Sequence, residues 1–193
     1  MTHQPVLLET AVEYLAIRPG GIYVDATFGG GGHARSILQH LEGGRLIAVD
    51  ADPHAAARAA SIADARFTFV HANFREITRV LDRCSIASVD GVLFDLGVSS
   101  MQLDDAERGF SLGKPAALDM RMDPGAGRSA YDVLATASEG ELADIFFYYG
   151  EERAARRIAR AIVTRRSSGR LPGTAAEFAQ LVAGVVQRRG RRE

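Results

Sequence analysis

Four glycines in a row, Gly29 to Gly32, stand between two residues able to carry chemistry, Asp25 before them and His33 after. The stretch YVDATFGGGGHA (Tyr23 to Ala34) reads as a strand ending at an acid, then a turn, then the start of a helix. Glycine loses more conformational freedom on folding than any other residue, so a run of it marks a backbone that something must approach closely. In an open parallel sheet, ligands bind beyond the carboxyl ends of the strands, and a helix N-terminus there favours a negative group. Asp50 ends a second strand-like run, RLIAVD, where an acid commonly accepts hydrogen bonds from a ribose. These features together describe a pocket for a nucleoside-bearing cofactor.

Gly29, Gly31 and Ala34 match G-x-G-x-x-A, a weak dinucleotide fingerprint that taken alone suits NAD. Asp25 points elsewhere: a carboxylate beside the glycine turn repels a pyrophosphate but suits an α-amino group. S-adenosylmethionine carries an ammonium, a sulfonium and a ribose, and no phosphate. Its carboxylate could take the helix N-terminus, its ammonium Asp25 and its ribose Asp50. A third strand-like run ends in VHANF, which puts Asn73 and Phe74 at the same rim. An aromatic there could pack on adenine, although a lone phenylalanine is more often core. The fourth ends in DLGVSSMQLD, with Asp95 at the carboxyl end of the strand and Ser99, Ser100 and Gln102 on the polar loop beyond. His3, His40, His54 and His71 show no metal-ligand spacing, and no metal is expected.

The elements that must position these residues follow from periodicity. IYVDAT (22–27), RLIAVD (45–50), FTFVHA (67–72) and VDGVLFDLG (89–97) read as strands. HARSILQHLE, PHAAARAASIA and FREITRVLDR between them read as helices, the second opened by Asp52 and Pro53. PVLLETAVEYL reads as a lead-in helix. Strands alternating with helices predict an α/β fold, a parallel, doubly wound Rossmann-like sheet with helices on both faces. Residues 98–128 form a long, polar, glycine-punctuated stretch without a period, and three helical patterns follow: SEGELADIFFYYG, EERAARRIARAIVTRR and TAAEFAQLVAGVVQRR. In the second of these Ala154, Ile158 and Ile162 repeat every four residues, while Arg153, Arg157 and Arg160 share another face. The chain divides into a cofactor-binding part, residues 1–105, and a loop plus helical module, residues 106–193.

Composition bounds the class. The chain has 193 residues, 47% hydrophobic and 24% charged, long enough to bury a core without disulfides. Cys84 is the only cysteine, which excludes a disulfide framework and suits a reducing compartment. The first residues lack a leader pattern and no apolar run approaches a membrane span, so a cytoplasmic location and no membrane partner are expected. The net charge of −1 hides an asymmetry: residues 1–150 carry 12 basic and 20 acidic side chains, residues 151–193 carry 11 arginines and 4 acids. That asymmetry suggests a polyanion partner for the basic end, against the alternative of a solvated arginine-rich helix face.

Six stretches, HQPVLLETAVEYL, GIYVDATFGGGGHA, AVDADP, DGVLFDLGVSSMQLDDAERGFSL, LDMRMD and YGEERAARRIARAIV, resemble the bacterial 16S ribosomal RNA cytosine-N4 methyltransferase family, in order along essentially the whole chain. The resemblance implies a class I methyltransferase sheet with a helical substrate-recognition domain inserted after strand four. It implies S-adenosylmethionine as cofactor, and methylation of the exocyclic amine of a cytidine in the decoding region of the small ribosomal subunit. Position by position it carries cofactor contacts to Gly31, Gly32, His33, Asp50, Phe74, Asp95 and Gln102, beside Asp25 and Gly29 from the residue reading. For methyl transfer to a conjugated amine, Asp95, Ser99 and Ser100 are the candidate acceptors of an N–H, and Arg153, Arg157 and Arg160 are candidates to hold RNA phosphates. The chain departs from the family at Met101, usually proline, and at Gly30, usually arginine. Members of the family also continue beyond this sequence, so the resemblance implies a C-terminally truncated chain without the later strands, leaving strand four an open edge. The resemblance admits a homodimer, which composition does not decide. Two rival readings are a non-catalytic RNA- or ribosome-binding fragment that keeps a cofactor pocket and an NAD-dependent oxidoreductase. The latter lacks any visible hydride-transfer residues such as a Tyr-Lys pair.

Overall fold

Continuous apolar runs build a sheet that is covered on both faces. The computed structural model describes residues 7–112 and 116–187. Four strands, β1 (Ile22–Asp25), β2 (Arg45–Asp50), β3 (Phe67–His71) and β4 (Gly91–Leu93), are all parallel in the order β3-β2-β1-β4. The connections carry α2 (Gly32–His40), α3 (His54–Ala59) and α4 (Ile77–Arg83), and α1 (Leu8–Tyr14) precedes the sheet. Successive strand residues point to opposite faces. Tyr23, Leu46 and Ala48 therefore pack with Val12 of α1, Ile37 of α2 and Ala55 of α3. Val24, Ile47 and Val49 pack on the other face with Val80 of α4 and with Ile86. Asp52 caps α3 as its position predicts, its Oδ1 accepting the His54 N–H at 3.0 Å.

The chain steps outward from β1 to β2 to β3, then returns to the other side of β1 as β4. That reversal makes the carboxyl ends of β1 and β4 the switch point of the topology, where an open α/β sheet binds its ligands. β4 is shorter than its sequence pattern and stops at Leu93. Asp95 therefore lies two residues past the strand, because the backbone leaves the ladder and the Asp95 N–H donates to Thr27 Oγ1 at 2.7 Å instead. Beyond the pairing with β1, β4 has no second neighbour among the described residues. Val92, Phe94, Leu96 and Val98, at every second position, are exposed there.

The chain forms two compact units, Met1–Ser99 and Ser100–Glu193. The second is helical: α5 (Ser100–Asp104), α6 (Ala130–Thr136), α7 (Glu139–Asp144), α8 (Ala155–Ser167) and α9 (Ala175–Gln187). Its core is Leu118, Leu134, Leu142, Ala154, Ile158, Ile162 and Leu181, so the four-residue repeat of α8 is the buried stripe. Capping boxes set the starts of α6 and α7, Ser129 with Asp132 and Ser138 with Glu141.

The polar stretch between the sheet and α6 is built, not structureless. α5 and a 3₁₀ turn at Ala106–Arg108 open it. The buried guanidinium of Arg108 donates to the carbonyls of Arg121 and Met122 at 3.1 and 2.6 Å. Asp119 and Arg121 pair at 2.6 Å, and the Leu118 and Asp119 carbonyls accept the first N–H groups of α6. The motif LDMRMD is thus a folded brace. The predicted helix SEGELADIFFYYG also differs from its pattern, since after Asp144 it widens into a π turn over Ile145–Tyr149. Arg188 and Arg189, at the end of the third predicted helix, lie outside the described residues.

Candidate functional site

At the carboxyl end of β1, Phe28 rather than a glycine fixes the turn. Its N–H donates to the Val49 carbonyl at 3.0 Å, and its buried ring packs against Phe67 and Phe69 at 5.9 and 5.4 Å between centroids. A side chain at Gly31 would place its Cβ 2.7 Å from that ring, and Gly31 has φ +77°, so only glycine fits there. Gly31 is the N-cap of α2 and brings no side-chain acceptor; the Ala34 N–H faces the Asp25 carboxylate, which leaves those of Gly32 and His33 for an anion. Gly29 is held from both sides. Its N–H donates to Asp50 Oδ2 at 2.6 Å and its carbonyl accepts from Arg58 Nε at 2.7 Å. Asp50 Oδ1 takes the Asp52 N–H at 2.8 Å, so this strand-end acid also braces the turn.

Asp25 is 0% exposed. One oxygen accepts the Thr27 N–H at 3.2 Å, and Oδ2 has no partner. Burial pushes its pKa up to about 7; the Asp50 and Asp95 charges push the same way, against the N–H groups of Thr27 and Ala34. Asp25 thus feels both other carboxylates, although no group of His, Cys, Asp or Glu among the described residues is placed to hold a metal ion. His33, in the first turn of α2, is also buried, with Nε2 unpartnered and Nδ1 3.8 Å from Asp95 Oδ2. Desolvation lowers its pKa and the Asp95 charge opposes that, which favours the neutral imidazole at neutral pH.

Asn73 and Phe74 divide their tasks. Asn73 caps a 3₁₀ turn, its side chain accepting the Arg75 N–H, whereas Phe74 is 41% exposed and meets the exposed Phe94 edge-to-face at 5.7 Å. The first unit therefore gathers Asp25, Gly29, Gly31, Gly32, His33, Asp50 and Asp95 around one turn. Ser99 closes that unit; Ser100 and the buried Gln102 belong to α5 of the second. Four contributors carry no signal of their own in the sequence: Thr27, Phe28, Arg58 and Phe94. Of these only Phe28 stands out by position, as the large side chain directly before the glycine run.

The arginines do not form the single helix face that their spacing suggests. Arg153 lies in the turn ahead of α8, because Glu152 Oε1 caps the Ala154 N–H and the helix starts only at Ala155. Arg157 donates to the Val185 carbonyl of α9, and Arg160 pairs with Glu139 at 3.3 Å, while both remain exposed.

Residues 1–193 match the family described as the MraW methylase family. The chain is 53% identical over 188 residues to the ribosomal RNA small subunit methyltransferase H of Thiobacillus denitrificans, covering 97% of this chain and 60% of that protein. It is 51% identical to the protein of the same name in Methylobacillus flagellatus, over 95% of this chain and 58% of that one. The namesake in Nitrosomonas europaea is 50% identical over 99% and 60%. The chain spans about 60% of the length of these curated relatives. With its four-stranded parallel sheet, its helices on both faces and this match over the full sequence, the chain belongs to the MraW methylase family and has its Rossmann-like methyltransferase fold.

Proposed function

We propose that the chain binds S-adenosylmethionine at the glycine turn and carries the cofactor and RNA-recognition parts of a cytidine-N4 methyltransferase acting on 16S ribosomal RNA of the small subunit. The buried, unpaired carboxylate oxygen of Asp25, beside the charges of Asp50 and Asp95, is the observation that supports this reading most strongly. Three acids disfavour a pyrophosphate and favour a cation, which speaks against NAD. The uncapped start of α2 offers N–H donors to a carboxylate, and the exposed Phe74 and Phe94 offer a slot for a planar base.

The cofactor supplies an electrophilic methyl group. Asp50 would accept from the ribose hydroxyls with the lone pairs that the backbone leaves, and Gly29, Gly31 and Gly32 would let the backbone approach. His33 and Gln102 keep the cofactor contacts that the resemblance implies. The cytosine leaves its stack to present N4. With the N–C bond replacing the methyl–sulfonium bond, whose electron pair would stay on sulfur, one N–H proton would have to leave the nitrogen, and Asp95 or the hydroxyls of Ser99 and Ser100 are the candidate acceptors of that N–H. Arg153, Arg157 and Arg160 would hold phosphates of the RNA.

Calorimetric titration with S-adenosylmethionine tests the cofactor reading. Asp50→Ala should weaken binding at least tenfold, a loss of about 1.4 kcal/mol, since it removes the ribose acceptor and the brace on Gly29 together. No heat of binding from a folded sample would sink it. Transfer of a labelled methyl group to small ribosomal subunits then separates catalysis from cofactor binding alone.

A further inference from the structure

The second unit has a hollow bordered by Arg153 and Arg157 whose other lining residues have no role in the reading above. It opens where the π turn after α7 meets the start of α8, has a volume of about 320 Å³, and is lined by Asp144, Phe147, Tyr148, Arg153, Arg156 and Arg157 among others. That volume is at the small end of ligand pockets, which run from roughly 300 to 1,000 Å³. The backbone here is specialised. A π turn inserts an extra residue into the helical repeat and occurs often at functional sites. It separates four neighbouring aromatics: Phe146 packs inward against Phe178 at 6.1 Å, while Phe147, Tyr148 and Tyr149 are turned out, 55%, 71% and 87% exposed. The chain then reverses through Gly150 and through Glu151 at φ +50°, a conformation uncommon for a residue with a side chain.

Two exposed rings, those of Phe147 and Tyr148, stand edge-to-face at 5.2 Å with their planes 81° apart, so a flat ligand stacked on the face of one meets the other edge-on. The charge around them is one-sided. Three guanidinium groups face the single carboxylate of Asp144, and Arg153 and Arg156 make no ion pair or side-chain hydrogen bond among the described residues. Arg157 gives one N–H to the Val185 carbonyl and keeps its charge. Aromatic faces beside uncommitted arginines match single-stranded nucleic acid, whose bases stack and whose phosphates need cations. An apolar protein segment would satisfy the rings and strand the arginines.

We propose that this hollow is a second nucleotide site, in which an unstacked RNA base lies on the face of Tyr148 with Phe147 against its edge, while its flanking phosphates are held by Arg153, Arg156 and Arg157. The inference rests on the RNA-recognition reading above and adds the class of contact: a base outside the methyl-transfer pocket, held by stacking and tolerant of sequence.

The test uses the full chain and a short labelled single-stranded RNA, with fluorescence anisotropy against salt. A second oligonucleotide has the same backbone with abasic positions. The parent chain should prefer the RNA with bases. Tyr148→Ala should weaken that RNA about tenfold, within the range for loss of one stacking aromatic, and leave the abasic strand unchanged. Tyr148→Phe should keep the parent affinity. Arg153→Ala and Arg156→Ala should weaken both strands and lower the salt slope by about 0.7 for each charge removed. Circular dichroism and S-adenosylmethionine titration verify that each variant is folded. If Tyr148→Ala and Phe147→Ala leave RNA binding unchanged while the arginine variants weaken it, the nucleotide site is wrong and RNA recognition stands. A parent chain with no preference for bases likewise overturns the site, and one that binds neither strand overturns the RNA reading with it.

Discussion

A carboxyl group with no exposed surface and one oxygen unpaired is held more easily with its proton than without. For Asp25 the pKa goes from 3.8 in an ordinary setting to about 7 in the folded chain. Above the ordinary value folding therefore takes up a proton. The stability tied to this group is fully present at acid pH, falls as pH rises through the range up to about 7, and changes no further above it. Asp25→Asn removes the titration at nearly constant volume. The variant should be the more stable chain above pH 7, and its urea midpoint should lose the parent's decline on the way there. Matching midpoint-against-pH curves for the two chains would rule this out. Much of this site is legible from residue position, because Asp25 and Asp50 end their strands and the glycines lie between them. Thr27, Phe28 and Arg58 are not, since their roles depend on partners brought from afar. The Asp95 N–H on Thr27 Oγ1 spans 68 residues, and the Arg58 bond to the Gly29 carbonyl spans 29.

Among the elements, α8 is the most readable, and its core stripe can be tested directly. Ile158 is 1% exposed, so Ile158→Ala should cost about 2–5 kcal/mol by denaturant titration. A loss below 1 kcal/mol would mean that the stripe collapses around the gap. The four-residue repeat shows this buried face because periodicity is local. The cationic face is less legible: Glu152 starts the helix late and leaves Arg153 in a turn, and α9 and Glu139 occupy Arg157 and Arg160. The π turn is invisible for another reason. IFFYY has the composition of any buried helical turn, and only the exposure of Phe147 and Tyr148 shows that the phase has slipped. Similarly, residues 98–128 look irregular because their organiser is one buried guanidinium, Arg108, whose acceptors on Arg121 and Met122 follow 13 and 14 residues later.

At the scale of the molecule, the chain joins an α/β unit whose glycine turn is ringed by acids to a helical unit rich in arginine. The parallel, doubly wound character of the sheet is readable, because strands alternate with helices; the order β3-β2-β1-β4 comes from the structure. The short reach of β4 is not readable either, since VDGVLFDLG has strand character well past Leu93. Among the described residues β4 is paired on one side only, and such an edge, carrying exposed Val92 and followed by exposed Phe94, Leu96 and Val98, is a template for a second copy. The chain should therefore self-associate as its concentration rises, and Val92→Lys should reduce this in analytical ultracentrifugation, as charge blunts an edge. Equal weight-average masses for the two chains at high concentration would contradict it. The alternating apolar strip also fixes how such association responds to temperature. Contacts driven by water release weaken on cooling, whereas backbone pairing alone would not. A sample kept near the freezing point should be the more monodisperse one, and warming it should bring turbidity before any loss of helix signal.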